Sequence, residues 1–167
     1  QMSHDMTLDE IYDEGKETEM REENRKFTLL DLDGDRIYEI ILPLVKGDSD
    51  YIYAFEILHF SDGDVLGYAL PFRGFYPLKE DGTFLSSGGA TDWRICSIYE
   101  FTEQTYYENT HMQIASFKSY GGNMDCLYYI DGQEVDKRAF EEASDDWNKK
   151  ADVPFFKLSK LYWYLLK

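Results

Sequence analysis

The sequence contains few of the side chains from which catalytic and zinc centres are usually built. Only three histidines and two cysteines occur among 167 residues. Neither His59 nor His111 has a second histidine or a cysteine at metal-ligand spacing, so a zinc site has no support. His59 lies within the apolar run FEILHF and is predicted to be a structural histidine rather than a base. Because no catalytic constellation is recognised, the protein is predicted not to be an enzyme.

Basic residues and long apolar runs are also scarce. Lys and Arg number 17 against 33 Asp and Glu, and the resulting formal charge of −16 opposes binding to nucleic-acid phosphates. No apolar run approaches the roughly 20 residues that a transmembrane helix needs. We therefore expect neither a nucleic-acid partner nor a membrane span in this chain. A divalent cation, a glycan or a cationic protein is the expected partner.

The two cysteines leave one question open. Cys96 and Cys126 both lie in predicted strands, and neighbouring strands of a sheet could bring them within bridging distance. One disulfide and two buried thiols are equally compatible with the sequence. A disulfide would favour an exported protein.

The most distinctive stretch is an acidic loop between two apolar runs. Its first, third, fifth and ninth positions carry carboxylates: Asp31, Asp33, Asp35 and Glu39. A hard cation such as calcium takes six to eight oxygen ligands, which closely spaced carboxylates and backbone carbonyls can supply. The loop is not an EF-hand, because Arg36 and Leu42 stand where that motif has glycine and a bidentate glutamate. The alternative is an ordinary Asp/Gly hairpin turn with solvated acidic side chains.

The pattern D-x-D-G-D-x-x-x-E, which runs directly into a strand, resembles the calcium loops of FG-GAP-like β-hairpin modules. The resemblance implies a structural calcium held by five residues: Asp31, Asp33, Asp35 and Glu39 through their side chains, and Ile37 through its carbonyl. Arg36 departs from the glycine usual in those loops. The pattern occurs once, which excludes a propeller. The whole chain, including PFRGFYPLKEDGTF, loosely resembles uncharacterised secreted or lipid-anchored proteins of Gram-positive anaerobes.

Turn signals divide the middle of the chain into seven candidate strands. These are Phe27–Leu32, Ile37–Val45, Tyr51–Phe60, Val65–Phe72, Trp93–Thr102, Tyr106–Ser119 and Cys126–Ile130. Short links favour antiparallel neighbours. In Ile37–Val45 apolar residues occur at both odd and even positions, so both faces of the strand would be apolar. This is typical of a central strand. The stretch GTFLSSGG is predicted to be a flexible loop.

Helices are predicted on both sides of these strands. Thr7 and Glu10 form a capping-box pattern at the start of an acidic helix within residues 1–25. Asp136 is a suitable N-cap for a helix over Lys137–Lys150, and the tail after Pro154 favours a helix over a terminal strand. The expected fold is α+β, an antiparallel β-meander of about six or seven strands with an N-terminal helix and one or two helices in the last third. Residues 1–25 would pack as an acidic helix on a single α+β domain, 26–167.

A weaker binding site is predicted around Arg73. Exposed aromatic side chains at Phe75, Tyr76 or Trp93 could stack on a sugar or anchor a protein partner. The alternative is that the same aromatic side chains pack in the core.

Three functions are compatible with these observations. The first is a non-catalytic secreted or cell-surface domain with a structural calcium loop and a glycan or protein ligand. The second is a cytoplasmic, acidic immunity or inhibitor protein that binds a basic partner such as a nuclease toxin. The third is an enzyme of unknown class.

Overall fold

The computed structural model describes residues 26–45, 51–89, 92–118 and 124–157. Within these residues the protein is mostly β, with ten strands and one α-helix. The strands are β1 (Lys26–Leu30), β2 (Glu39–Val45), β3 (Ile52–Ser61), β4 (Asp64–Pro71), β5 (Phe84–Gly89), β6 (Asp92–Phe101), β7 (Tyr106–Lys118), β8 (Met124–Ile130), β9 (Gln133–Val135) and β10 (Phe156–Lys157); the helix is α1 (Lys137–Asn148). They form two five-stranded antiparallel sheets, ordered β10-β1-β2-β3-β4 and β5-β6-β7-β8-β9.

The predicted α+β meander of six or seven strands is therefore wrong. Three strands were not predicted, namely β5, β9 and β10, and the strands divide between two sheets instead of forming one. The predicted loop GTFLSSGG contains β5, which pairs with β6 through its backbone although four of its six residues are serine or glycine. The tail after Pro154 begins with β10 paired to β1 and not with a helix, and the rest of the predicted tail helix, 158–167, lies outside the described residues. The predicted helix within 1–25 lies outside the described residues.

The chain divides into two compact units. Among the described residues, the first unit comprises 26–29, 39–45, 51–72 and 155–157. The second comprises 30–38 and the described part of 73–154. The acidic loop therefore belongs to the second unit as far as Tyr38, and Glu39 begins the first strand that follows it.

In the first unit, β2 lies at the centre of its sheet, as its two apolar faces predicted. Cross-strand pairing places Ile41 opposite Ile57, and Ile57 opposite Tyr68. Phe55, two residues before Ile57 on β3, pairs with Leu70. These side chains alternate with more exposed ones and are all buried, so one face of β2, β3 and β4 supplies much of this unit's core.

In the second unit, α1 covers one face of the sheet. The predicted helix is confirmed, and the carboxylate of Asp136 caps it by accepting the Ala139 N–H at 2.8 Å. Phe140 and Trp147 of α1 pack against buried residues of the central strands. One cross-strand row beneath the helix consists of Leu85, Ile95, Met112 and Ile130, and a second consists of Trp93, Ile114, Tyr128 and Val135.

The end of α1 is held by a buried ammonium. The Lys79 side chain is 5% exposed, and its Nζ donates to the Asp152 carboxylate at 2.6 Å. The same Nζ donates to the carbonyls of Lys150 at 3.1 Å and Asn148 at 3.5 Å. It also lies 4.8 Å from the ring centroid of Trp147. A positive charge beside the last carbonyls of a helix is favourable because those groups lack helical N–H partners.

Candidate functional site

Hydrogen bonds between its own side chains and backbone close the acidic loop. Asp31 accepts the Gly34 N–H at 2.7 Å and the Arg36 N–H at 3.1 Å, one on each carboxylate oxygen. Asp35 accepts the Ile37 N–H at 2.6 Å. Short acidic side chains favour such bonds to nearby backbone groups, which is why this sequence turns sharply after β1.

Two residues of the loop have left-handed backbone conformations. Gly34 has φ 84° and Arg36 has φ 74°. Glycine adopts this region without strain, whereas a residue with a Cβ does not. Arg36 occupies the sixth position, where EF-hand loops place glycine for their sharp turn. The loop thus keeps the backbone conformation of that glycine and departs only in its side chain.

Neighbouring carboxylates of the loop lie close together. One oxygen of Asp33 lies within 4.8 Å of an oxygen of Asp31, and one lies within 4.8 Å of an oxygen of Asp35. Acidic groups at this separation could hold a metal ion, and they repel one another when no cation lies between them. Exposed acidic groups are also common in proteins without any ion.

Glu39, the predicted ninth-position ligand, is fully buried in the first unit. Its Oε1 lies 3.0 Å from Nδ1 of His59, which is 5% exposed. The sequence-based interpretation of His59 as a buried structural histidine agrees with this contact. The ligand roles of Glu39 and of the Ile37 carbonyl remain predictions, although the Ile37 side chain is exposed at the end of the loop.

Both cysteines are free thiols in this structure and only one is buried, so it matches neither the predicted disulfide nor the predicted pair of buried thiols. Cys96 is buried on β6 and Cys126 is exposed on β8. Strand β7 separates their strands, pairing Thr110 with Cys96 and Ser116 with Cys126. Burial, with a contribution from the Glu108 carboxylate, raises the pKa of the Cys96 thiol to about 11. Cys96 is therefore a neutral core side chain at physiological pH.

The four residues of the weaker predicted site have different environments. Phe75 is fully buried, and its ring centroid lies 4.7 Å from that of Phe84. It therefore belongs to the core, as the alternative interpretation held. Arg73 is exposed in a short 3-10 turn, and Tyr76 is 37% exposed. Trp93 is half-buried on β6.

Trp93 lines a cavity between α1 and the sheet of the second unit. The cavity has a volume of about 450 Å³, within the range of small-molecule sites. Its walls combine aromatic and aliphatic side chains with the polar stripe of α1: Pro77, Leu85, Trp93, Ile114, Tyr128, Lys137, Phe140, Glu141, Ser144, Asp145, Trp147 and Asn148. The sequence located the helix and its apolar face but could not show a gap between that face and the sheet, because the gap depends on packing across distant segments.

A serine, a histidine and an aspartate also meet in the second unit. Ser97 Oγ lies 2.8 Å from His111 Nε2, and His111 Nδ1 lies 3.5 Å from Asp131 Oδ1. This order of contacts is that of a catalytic triad. The second distance is longer than an ordinary hydrogen bond, and the Asp131 side chain is 75% exposed, so water competes for its carboxylate. We therefore assign these residues no catalytic role.

No helix within the described ranges is long and apolar enough to cross a membrane. No family model, curated protein or solved structure matches the chain. The acidic loop and the cavity are therefore the features of this chain from which a function can be inferred.

Proposed function

We propose that the protein is a non-catalytic, exported binding domain whose acidic loop, Asp31 to Ile37, holds a structural calcium ion. The observation that carries this proposal is that Asp33 has carboxylate oxygens within 4.8 Å of those of Asp31 and of Asp35, in a closed turn with a left-handed sixth residue. A carboxylate oxygen that accepts one N–H retains a second lone pair. The hydrogen bonds of Asp31 and Asp35 therefore leave their oxygens able to coordinate a cation.

Electrostatics support a cation at this position. Like charges a few ångströms apart destabilise a loop, and a bound divalent ion turns that repulsion into attraction. Calcium suits an irregular set of carboxylate and carbonyl oxygens, whereas magnesium requires near-ideal octahedral geometry. Calcium is accordingly the proposed ion.

The proposed location outside the cell follows from the calcium affinity that the loop would need in order to stabilise the fold. With calcium at ten to one hundred times the Kd, the folded state would gain about 1.4 to 2.7 kcal/mol. Millimolar calcium, at the level used by extracellular modules, gives this gain even at a weak site. A weak structural site is therefore suited to the cell surface or its surroundings.

The test is thermal unfolding in calcium, in magnesium and in a chelator at equal ionic strength. We expect calcium to raise the unfolding temperature by several degrees and magnesium to raise it less. The double variant Asp31→Asn with Asp33→Asn should lose the calcium-dependent rise, because asparagine lacks the charge. At position 31 it can keep only one of the two N–H bonds that Asp31 accepts, since its amide has a single acceptor oxygen.

The matched control is Asp62→Asn with Asp64→Asn. These residues flank Gly63 in the exposed turn between β3 and β4, and the change removes the same charge from another Asp/Gly turn. The control should keep the full calcium response. A parent protein without any calcium response, or equal responses from both double variants, would show that the loop is an ordinary acidic turn.

A second candidate function is supported by the net charge of −16. An acidic inhibitor would attract a basic partner such as a nuclease toxin and cover its nucleic-acid site. This candidate requires no calcium. Calcium-independent stability, together with binding to a basic nuclease that weakens steeply with salt, would favour it over the first proposal.

A further inference from the structure

The cavity beneath α1 has aromatic walls. Trp93 and Tyr128 belong to one cross-strand row of the sheet, and Phe140 and Trp147 face them from the helix. The ring centroid of Phe140 lies 5.5 Å from that of Trp93 and 5.2 Å from that of Tyr128. Aromatic faces carry negative charge density and attract cations that approach within about 6 Å.

The mouth of the cavity carries an excess of negative charge. Lys137, Glu141 and Asp145 are its charged lining residues, and they follow one stripe of α1. Lys137 Nζ lies 3.3 Å from Glu141 Oε1, and its hydrogen bond to this carboxylate raises the pKa of Lys137. Within the described ranges the Asp145 carboxylate forms no ion pair. The three charged residues that line the cavity therefore carry a net charge of −1.

The same unit already holds an ammonium against one of these rings. Lys79 Nζ lies 4.8 Å from the Trp147 ring centroid, and the Asp152 carboxylate balances its charge. Here an aromatic ring, a carboxylate and two backbone carbonyls together keep an ammonium almost free of water. The cavity offers two of these elements, aromatic rings and a carboxylate, beside an open space.

We propose that this cavity binds a small organic cation, with an alkylated ammonium against the aromatic rings and its charge facing Asp145. The inference rests on the binding part of the function proposed above and not on the calcium loop. The cavity is lined by residues between Pro77 and Asn148, so a failed calcium test leaves it intact. An anionic ligand would be repelled by the Asp145 carboxylate, and a purely apolar one would gain nothing from that charge.

The probe is choline, compared with its neutral isostere in which carbon replaces the ammonium nitrogen. Both have nearly the same shape, so their difference in affinity measures the contribution of charge. Ligand-observed NMR can follow the trimethyl signal of either compound during titration of the protein. We expect choline to bind about tenfold more tightly, which corresponds to the usual range of a partly desolvated cation–π contact.

Two surface variants separate the cavity from general electrostatics. Asp145→Asn should weaken choline binding several-fold. Asp146→Asn removes the same charge from the next residue, which pairs with Lys149 and does not line the cavity. This control should weaken choline binding much less than Asp145→Asn does. Both positions are exposed, so neither change should compromise folding.

A third variant, Trp93→Leu, tests the aromatic wall. It should reduce the preference for choline over the isostere, because leucine keeps an apolar wall without the π face. Equal affinity for choline and its isostere would overturn the proposal, as would tighter binding of a neutral sugar such as glucose. Equal weakening by Asp145→Asn and Asp146→Asn would also overturn it, because the attraction would then be a property of the whole acidic surface.

Discussion

At the scale of single residues, Arg36 shows how a chain can keep a loop conformation that its side chain disfavours. The spacing of Asp31, Asp33 and Asp35 predicted the acidic loop, but it could not indicate which residues take positive φ. That choice is made by the N–H bonds that Asp31 and Asp35 accept. Those bonds hold Arg36 in the left-handed region at a cost of about 1 to 2 kcal/mol.

This strain leads to a prediction for position 36. Arg36→Gly should stabilise the folded protein by about 1 kcal/mol relative to Arg36→Ala, since both lose the charge but only glycine adopts φ 74° freely. Chemical denaturation of both variants would measure the difference in unfolding free energy. An alanine variant as stable as the glycine variant would show that the left-handed conformation carries no strain.

Glu39 shows what residue spacing leaves undetermined. As the ninth position of the acidic pattern it is predicted to be a ligand, and the pattern says nothing about its burial. The pairing of Ile40 with Leu58 continues by one residue to set Glu39 against His59. Burial and partner therefore come from the register between β2 and β3, which no local motif encodes.

At the scale of elements, α1 was predictable and its ending was not. Helical spacing of Ala139, Phe140, Ala143 and Trp147, with Asp136 as N-cap, indicated the helix and its buried face. Its end depends on Lys79, which comes from a turn some 70 residues earlier in the chain. A lysine in a polar sequence such as LKEDG gives no sign that its ammonium is buried.

Replacing Lys79 should therefore be costly. Lys79→Met should lower the unfolding free energy by about 2 to 3 kcal/mol, because the charge-assisted hydrogen bonds are lost and the carbonyl of Lys150 loses a donor. The control is Lys149→Met, which removes an exposed ammonium that pairs with Asp146 at 2.8 Å. Exposed pairs of this kind contribute little to stability, so the control should lose much less than Lys79→Met. Equal losses in urea denaturation would mean that burial of Lys79 adds nothing.

Strand β5 was missed for a definable reason. Ser86, Ser87 and the following glycines lack the apolar and β-branched side chains that indicate a strand. The strand forms because β6 supplies backbone partners along its length, with Phe84 buried at its start. At a sheet edge, backbone pairing of this kind requires little from the side chains.

At the scale of the whole molecule, turn signals predicted strands but not their assignment to sheets. Seven predicted strands match observed ones, and all pairings in both sheets are antiparallel, as the short links indicated. The segment between β4 and β5 ends one sheet and leads to the other. Locally it has the same Gly, Pro and Asp composition as a hairpin link, so composition cannot distinguish the two outcomes.

The excess of acidic residues should make stability depend on salt. Raising sodium chloride from low concentration to about 0.15 M should increase the unfolding temperature, because screening weakens repulsion among charges that total −16. The increase should shrink near pH 4.4, where the net charge approaches zero. A neutral-pH unfolding temperature that falls with salt would indicate that ion pairs outweigh this repulsion.

The pairing of β1 with β10 has a consequence for the order in which the protein is made. Lys26 lies opposite Lys157 and Phe27 opposite Phe156, so one edge of the first sheet joins strands separated by about 130 residues. During synthesis on the ribosome β1 emerges before β10, and it cannot pair with β10 until nearly the whole described chain has been translated. The second sheet, whose strands follow one another in the chain, can be completed before then. The first sheet to begin is therefore the last to be finished, and its open edge is where a nascent chain would most need protection from other strands.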